Sequence, residues 1–342
     1  MAHLRYNLIT GEWVIIAEER ARRPEDFRQR RPPREVPEHS PSCPFCPGQE
    51  ARTPDATLVL PADGPWLVRA VPNLYPALRP DGHAARSGTG SRQTVEGTGE
   101  HEVIIEAREH NASLAILPVE QVALVLLAYR ERTRRLYEDP RIEHVIVFSN
   151  HGPGAGTSLE HPHSQIVGTP VVPGQVRIRM EKALHFFGDS GRCLFCHCLE
   201  EELEEGSRVV ASSPGFVAFV PYAALSPFHL WVFPRRHNAY FGDLDDVEIA
   251  DLAEVLKRTL LLLRSGLDDP DFNLVIRSSA PNERSVRYLH WYLSIVPRMS
   301  QAAGFELGTG MFINTSLPEE CAAFLRGVPS GGSRGASGTG SP

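Results

Sequence analysis

Apolar and polar positions along this chain run through one order of elements twice. In the first stretch a Cys43-Pro-Phe-Cys46 turn leads to an extended segment, Val68 to Leu78, and to the strand-like His101 to His110. In the second, Cys193-Leu-Phe-Cys196 leads to the extended Val217 to Phe228 and the strand-like Phe228 to His237. An amphipathic helix follows each: Val119 to Tyr137, then Leu244 to Arg264, where Ile249, Leu252, Val255, Leu256, Leu260 and Leu263 recur at helical spacing. A further strand comes next, Val145 to Phe148 or Phe272 to Ile276. Each copy closes on a histidine-bearing strand, His161 to Val167 or His290 to Val296. A one-sided apolar helix must cover a sheet. The pattern therefore predicts an α+β fold of two halves, each a mainly antiparallel sheet with a packed helix, from an internal duplication.

The halves are placed at 1–175 and 176–326. Residues 327–342 have too few apolar groups to offset chain entropy and are expected to form a disordered tail. Ala84 to Glu100, rich in Ser, Gly and Thr, is expected to be a mobile loop.

Composition narrows this picture. The 342 residues are 42% hydrophobic and 23% charged, as in a globular protein, and 29 prolines with 28 glycines argue against a helix-only fold. A net charge of −7 speaks against a surface that coats nucleic acid, so any phosphate is met locally. Arg20, Arg22, Arg23, Arg28, Arg30, Arg31 and Arg34 nonetheless crowd one stretch, either as a solvated arm or as contacts to an anionic substrate. Met1 to Ile16 lacks a signal-peptide core, and no apolar run approaches the roughly 18 residues that span a bilayer. A cytoplasmic protein without a membrane partner is expected, its six cysteines reduced.

Two C-x-x-C pairs in a reducing compartment, each followed by two histidines at matching points of the repeat, supply two Cys2His2 sets. The first is Cys43, Cys46, His110 and His161; the second is Cys193, Cys196, His237 and His290. Thiolates with imidazoles favour zinc, and four filled positions leave no place for an activated water, so both sets read as structural, with another metal left open for the second and no organic cofactor expected. Cys198 and His197 leave the membership of the second set open. A nucleic-acid-binding zinc finger would hold its ligands within ~30 residues around one helix, and here each set spans far more chain.

The chemistry concentrates between Asn150 and Gln165. Three glycines, Gly152, Gly154 and Gly156, precede a strand in which every second side chain shares a face, so His161, His163 and Gln165 point the same way. With His161 tied to metal, His163 is the available nucleophile, a neutral imidazole at its ordinary pKa of ~6.5. Loop N–H groups, the Ser158 hydroxyl and the Gln165 amide are placed to hold phosphate oxygens. Attack by a histidine at an α-phosphorus stores the nucleotide on the ring and implies ping-pong kinetics. Opposite His161-Pro-His163-Ser-Gln165 the second half carries His290-Trp-Tyr-Leu-Ser294, which keeps the ligand and lacks the nucleophile.

At His161-Pro-His-Ser-Gln165, with Asn150 and Ser158 before it, the chain resembles the galactose-1-phosphate uridylyltransferase branch of the histidine triad superfamily. Arg5-Tyr-Asn-Leu-Ile-Thr-Gly-Glu-Trp-Val14, Arg20-Ala-Arg-Arg-Pro24, Cys43-Pro-Phe-Cys46 and Val71-Pro-Asn-Leu-Tyr-Pro-Ala-Leu78 carry the likeness, which runs from about Tyr6 to Pro318. The resemblance implies two histidine-triad-like halves and a homodimer. It implies transfer of UMP from UDP-glucose to galactose 1-phosphate through a uridylyl-His163 intermediate. Gln165 and Ser158 would contact phosphates, with Gly156 in the same loop, while Asn150, Asn73, Arg20 and Arg23 would help hold the nucleotide sugar. Two departures keep a second reading in view: the cysteine-based second set is that of a plant relative handling ADP-glucose, and Glu306 lies near where well-studied members have a sugar-phosphate lysine. The alternatives are thus an adenylyl-transferring or phosphorolytic enzyme acting on ADP-glucose, a dinucleoside-type hydrolase, and, in a different class, a zinc-stabilised binding module without turnover.

Overall fold

The computed structural model describes residues 2–17, 23–28 and 36–329. Arg20 and the tail from 330 onward lie outside the described residues. In chain order the elements are β1 (His3–Asn7), β2 (Glu12–Ile16), β3 (Leu58–Leu60), β4 (Val68–Pro72), β5 (Arg86–Thr89), β6 (Arg92–Val95), β7 (Glu100–Ile105), α1 (Val119–Leu136), β8 (His144–His151), β9 (His163–Thr169), α2 (Gly174–Ser190) and α3 (Leu194–Glu205). They continue with β10 (Val209–Ser212), β11 (Phe216–Phe219), β12 (Leu230–Pro234), α4 (Asp246–Leu267), β13 (Phe272–Arg277), β14 (Tyr292–Pro297), α5 (Gly304–Thr309), β15 (Phe312–Asn314) and α6 (Pro318–Arg326).

A 10-stranded antiparallel sheet runs in the order β10-β11-β12-β14-β13-β8-β9-β7-β4-β3. Read outward from its middle, β8-β9-β7-β4-β3 and β13-β14-β12-β11-β10 are the same arrangement, joined where β8 pairs with β13. Phe148 faces Gln165 on one side, and Val275 faces Ser294 on the other. Phe148 and Val275 themselves pair across the seam, so corresponding positions of the two halves meet there.

Helices α1 and α4 pack on one face of this sheet. Val125, Leu126 and Tyr129 of α1 and Leu252, Leu256 and Leu263 of α4 are buried in a core that both halves share; cutting one such leucine to alanine costs roughly 2–5 kcal/mol. The sequence also marks where α4 begins. Asp245 accepts the Glu248 N–H while Glu248 accepts the Asp245 N–H, a reciprocal cap that stabilises the first turn by about 1 kcal/mol. On the other face, α2 and α3 cover Trp231, Phe233 and Tyr292 of the second half, whereas the Cys43–Cys46 turn covers Val71, Val103 and Ile105 of the first. The mixed α+β architecture with antiparallel sheets agrees with the pattern of the chain.

Local differences have identifiable causes. His161 and His290 precede their strands, which begin at His163 and Tyr292. Pro162 has no N–H for a ladder, and its carbonyl accepts from Glu106 N at 3.1 Å. The 84–100 segment is not a bare loop: β5 and β6 form an exposed antiparallel hairpin, tied to the body by an Arg86–Glu143 ion pair. Helix α2 left little apolar periodicity to read because Ala183 alone among its residues is buried. Among the described residues no helix is long and apolar enough to cross a membrane.

Candidate active site and metal centres

The first four ligand candidates converge. Cys43 and Cys46 sit in a turn, His110 follows β7 and His161 precedes β9, and their ligand atoms all lie within 4.8 Å of one another. Cys46 Sγ is 3.5 Å from His110 Nδ1 and 3.6 Å from His161 Nδ1. His161 Nε2 lies 2.9 Å from the Ala107 carbonyl, a contact that places the ring proton there and leaves Nδ1 as a lone pair for a metal. Burial lowers the pKa of His110, and that of His161 to about 4, so both rings are neutral near pH 7.

Cys193, Cys196, His237 and His290 form the second group by the same criterion. Cys196 Sγ is 3.3 Å from His237 Nδ1 and 3.4 Å from His290 Nδ1, and His290 Nε2 is pinned by the Pro234 carbonyl at 3.1 Å. A hydrogen bond with Cys196, reinforced by His237 and His290, holds the Cys193 thiol toward thiolate. The two other residues left open by the sequence stand apart from the group: His197 stacks on Phe186 and pairs with Glu201 at 3.3 Å, and burial pushes the Cys198 thiol up to about 12. Either group could hold a metal ion through two thiolates and two imidazoles.

His163 lines a cleft of about 1570 Å³ between the loop ahead of β9 and the corner that joins α4 to β13. Its Nδ1 donates to the His161 carbonyl at 2.8 Å, which turns the Nε2 lone pair away from the backbone. Phe45 packs against the ring at 5.4 Å between centroids. Burial lowers its pKa, keeping the imidazole neutral and nucleophilic. Behind the strand, Glu106 accepts from the hydroxyls of Tyr129 and Ser164, and burial raises its carboxyl pKa. This network braces β9 from the helix side.

The other residues singled out by sequence fall into separate places. Asn150 lines the cleft with His163. Gln165 and Asn73 meet at His101 instead. Ala77 N–H donates to His101 Nδ1 at 3.0 Å, so the ring proton lies on Nε2 and goes to Gln165 Oε1 at 2.8 Å, leaving the Gln165 NH2 as a donor; Asn73 Nδ2 lies 3.1 Å from the same Nε2. Ser158 and Gly156 are exposed, with Gly156 at φ +88°. Arg23 is exposed too, whereas Arg28 reaches the cleft wall and donates to Gly266 O at 3.1 Å.

One expectation needs correction. The glycine loop does not offer a row of open N–H groups, since Ala155 N bonds Gly152 O, Gly156 N bonds Pro153 O, and Gly154 N donates to Asp271 Oδ2 at 2.8 Å. The glycines serve another need. A Cβ on Gly152 would stand 1.9 Å from Asp271 Oδ1, and one on Gly154 2.5 Å from Oδ2, so the loop is glycine-rich in order to wrap a buried carboxylate. Asn273 completes the grip. Its Nδ2 donates to Asn150 Oδ1 at 2.7 Å and to Ala155 O at 2.9 Å, which turns the Asn150 NH2 into a free-facing donor. Both Asp271 and Asn273 come from the second half, where no motif distinguishes them.

The family described as galactose-1-phosphate uridyl transferase, N-terminal domain, matches residues 1–173. ADP-glucose phosphorylase of Arabidopsis thaliana is 37% identical over 330 residues, covering 95% of this chain and 92% of that protein. The chain belongs to the galactose-1-phosphate uridyl transferase family. Within it, galactose-1-phosphate uridylyltransferase of Thermotoga maritima is 29% identical over 335 residues, covering 95% and 98% of the two chains. The crystal structure of an ADP-glucose phosphorylase from Arabidopsis thaliana with bound ADP-glucose superposes with a TM-score of 0.82 at 32% identity, covering 97% of this chain and all of that one.

Proposed function

We propose that this enzyme carries a nucleoside monophosphate on His163 between a nucleotide sugar and a phosphate-bearing acceptor. The reading rests on the His163 ring, whose Nδ1 proton is held by the His161 carbonyl while Nε2 remains a neutral lone pair at the cleft. Nε2 attacks the α-phosphorus, an N–P bond forms, and the bond to the bridging oxygen breaks with its electron pair leaving on the sugar 1-phosphate. A phosphate oxygen of the acceptor then attacks the same phosphorus, and the N–P pair returns to the ring. The Nδ1–H stays in place throughout, and its carbonyl partner stabilises the positive charge that grows on the imidazole.

On this reading Gln165 and Ser158 meet phosphate oxygens, Gly156 shapes the loop that brings Ser158 to the substrate, and Asn150, Asn73, Arg20 and Arg23 hold the nucleotide sugar. Both Cys2His2 sets are structural zinc sites that contribute folding energy, and the first also fixes the strand that aims His163. We read 1–175 as the catalytic half and 176–326 as its duplicated, histidine-triad-like counterpart, on the strength of the repeated strand order and ligand sets. A homodimer fits the apolar surface around β1, β2 and α5, where Leu4, Trp13, Phe305 and Leu307 are exposed.

For donor and acceptor, UDP-glucose with galactose 1-phosphate is the first reading. ADP-glucose with inorganic phosphate is the second, favoured by the 37% identity to an ADP-glucose phosphorylase and by the cysteine-based second set. Intact-mass measurement after mixing the enzyme with UDP-glucose or ADP-glucose, without acceptor, decides between them. A uridylyl adduct supports the first, an adenylyl adduct alone supports the second, and no adduct with either removes the His163 mechanism.

A further inference from the structure

We propose that the second half holds a binding site for a phosphoryl dianion, formed by Arg277 and Arg179 beside His229 and Ser294, at the place corresponding to the catalytic constellation of the first half. The register makes the correspondence. Phe148 and Val275 pair across the seam, and two residues further along each strand lie Asn150 and Arg277. Arg277 pairs with Tyr292, so this tyrosine stands where the first half has His163, and Ser294 stands where it has Gln165. His229 Nε2 meets Ser294 Oγ at 2.9 Å as His101 Nε2 meets Gln165 Oε1 at 2.8 Å. The frame is common to both halves, but an amide has become a guanidinium and the nucleophile a tyrosine.

Polar groups in this place are left without partners. Arg277 is half-buried; its Nε is buried without a hydrogen bond, and it forms no ion pair with any described residue. The titratable groups that act on it are Tyr292 and the like-charged Arg179 of α2. Arg179 also has a buried Nε with no partner, and donates through one terminal nitrogen to Gln175 O at 2.9 Å. His229 is 3% exposed, and its Nδ1 has no partner. When the Ser294 hydroxyl donates to Nε2, the ring proton lies on Nδ1 as a further unspent donor. Two guanidinium groups near each other without a carboxylate are costly in a folded protein, and planar N–H forks fit the oxygens of a phosphoryl group closely. A tetrahedral dianion would offset the charge and use the orphaned donors together. Inorganic phosphate and the phosphoryl group of a sugar 1-phosphate share this chemistry. The proposal concerns binding alone and stands whether or not His163 transfers a nucleotide.

Calorimetric titration of the full-length protein carrying His163→Asn, with inorganic phosphate and separately with glucose 1-phosphate, tests it. Binding should weaken by about tenfold or more when Arg277→Ala or Arg179→Ala is added, the loss expected for one charge-assisted contact. It should persist when Asn150→Ala is added instead. Arg277→Lys should restore part of the affinity. Binding of phosphate alone assigns the site to the free anion, and binding of both assigns it to the phosphoryl group whatever carries it. The inference fails if neither arginine variant changes the titration, if Asn150→Ala abolishes it, or if the parent binds no anion and Arg277→Ala merely raises the melting temperature. Should Arg277→Ala not fold, Arg179→Ala on the outer helix carries the test.

Discussion

The two halves of the sheet share strand order, the placing of their Cys2His2 groups and even the histidine-to-neighbour contact on the face away from α1 and α4, yet they differ at the position of His163. In the first half His163 stands beside the cleft with its proton anchored on a carbonyl. In the second, Tyr292 is buried and stacks on Phe233 at 5.0 Å and 15°. Each Cys2His2 group has one imidazole pinned by a backbone carbonyl, through Ala107 or Pro234. On the proposed reading, holding the fold together and transferring a group are separable tasks of one arrangement. The second half also lends Asp271 and Asn273 to the loop ahead of β9 in the first.

The strongest break in that comparison is His163→Asn, expected to lower adduct formation by at least ~10³-fold while metal content and melting temperature stay unchanged. Persistent adduct in that variant would put the nucleophile elsewhere. Next come the thiolates. Cys43→Ser and Cys193→Ser should each halve the bound metal and destabilise the chain by several kcal/mol, but only the first should also suppress the adduct, since only the first set holds the strand of His163. Equal loss of adduct in both, at matched folded fraction, would erase the distinction drawn between the halves.

Asn273→Ala sharpens the comparison from the other side. Freed from Nδ2, Asn150 and the loop lose their setting, and the single-turnover rate of adduct formation should fall roughly 10–100-fold with metal content intact; an unchanged rate would make the contact a bystander. The smallest effects are in pH. Burial lowers the pKa of His163, so adduct formation should be flat above its ordinary value of ~6.5 and decline only on acidification below it. Stability should follow the same direction for a different reason. Folding depresses His144 to about 4 and His229 to about 3, so the unfolded chain binds more protons below ~6.5. The melting temperature should drop as pH falls through that window, and His229→Gln should flatten the drop. A melting temperature that holds or rises between pH 7 and pH 5 would contradict it.

Much of the site was legible beforehand because its chemistry is encoded in short spacing. A C-x-x-C pair and a His-x-His strand are local statements, and the structure brings both Cys2His2 groups together as their repeat implied. Helices α1 and α4 were legible for a similar reason: their buried faces recur at a helical period. Helix α2, which buries a single residue, had no such signature. The loop was misread at its glycines. Small residues before a nucleophile suggest an anion nest, and only the carboxylate of Asp271, far away in the chain, reveals that the space was already taken.

The C-x-x-C pairs, the His-x-His strand and the buried faces of α1 and α4 are thus legible in the sequence alone, since each follows from period or spacing within a short stretch. Which donors remain available is decided by tertiary structure. Gly154 is occupied and the Asn150 amide is oriented by partners more than a hundred residues away, and the Arg277 Nε is left without a partner among the described residues. Strand pairing makes these encounters, and pairing between distant strands leaves no periodic trace in either one.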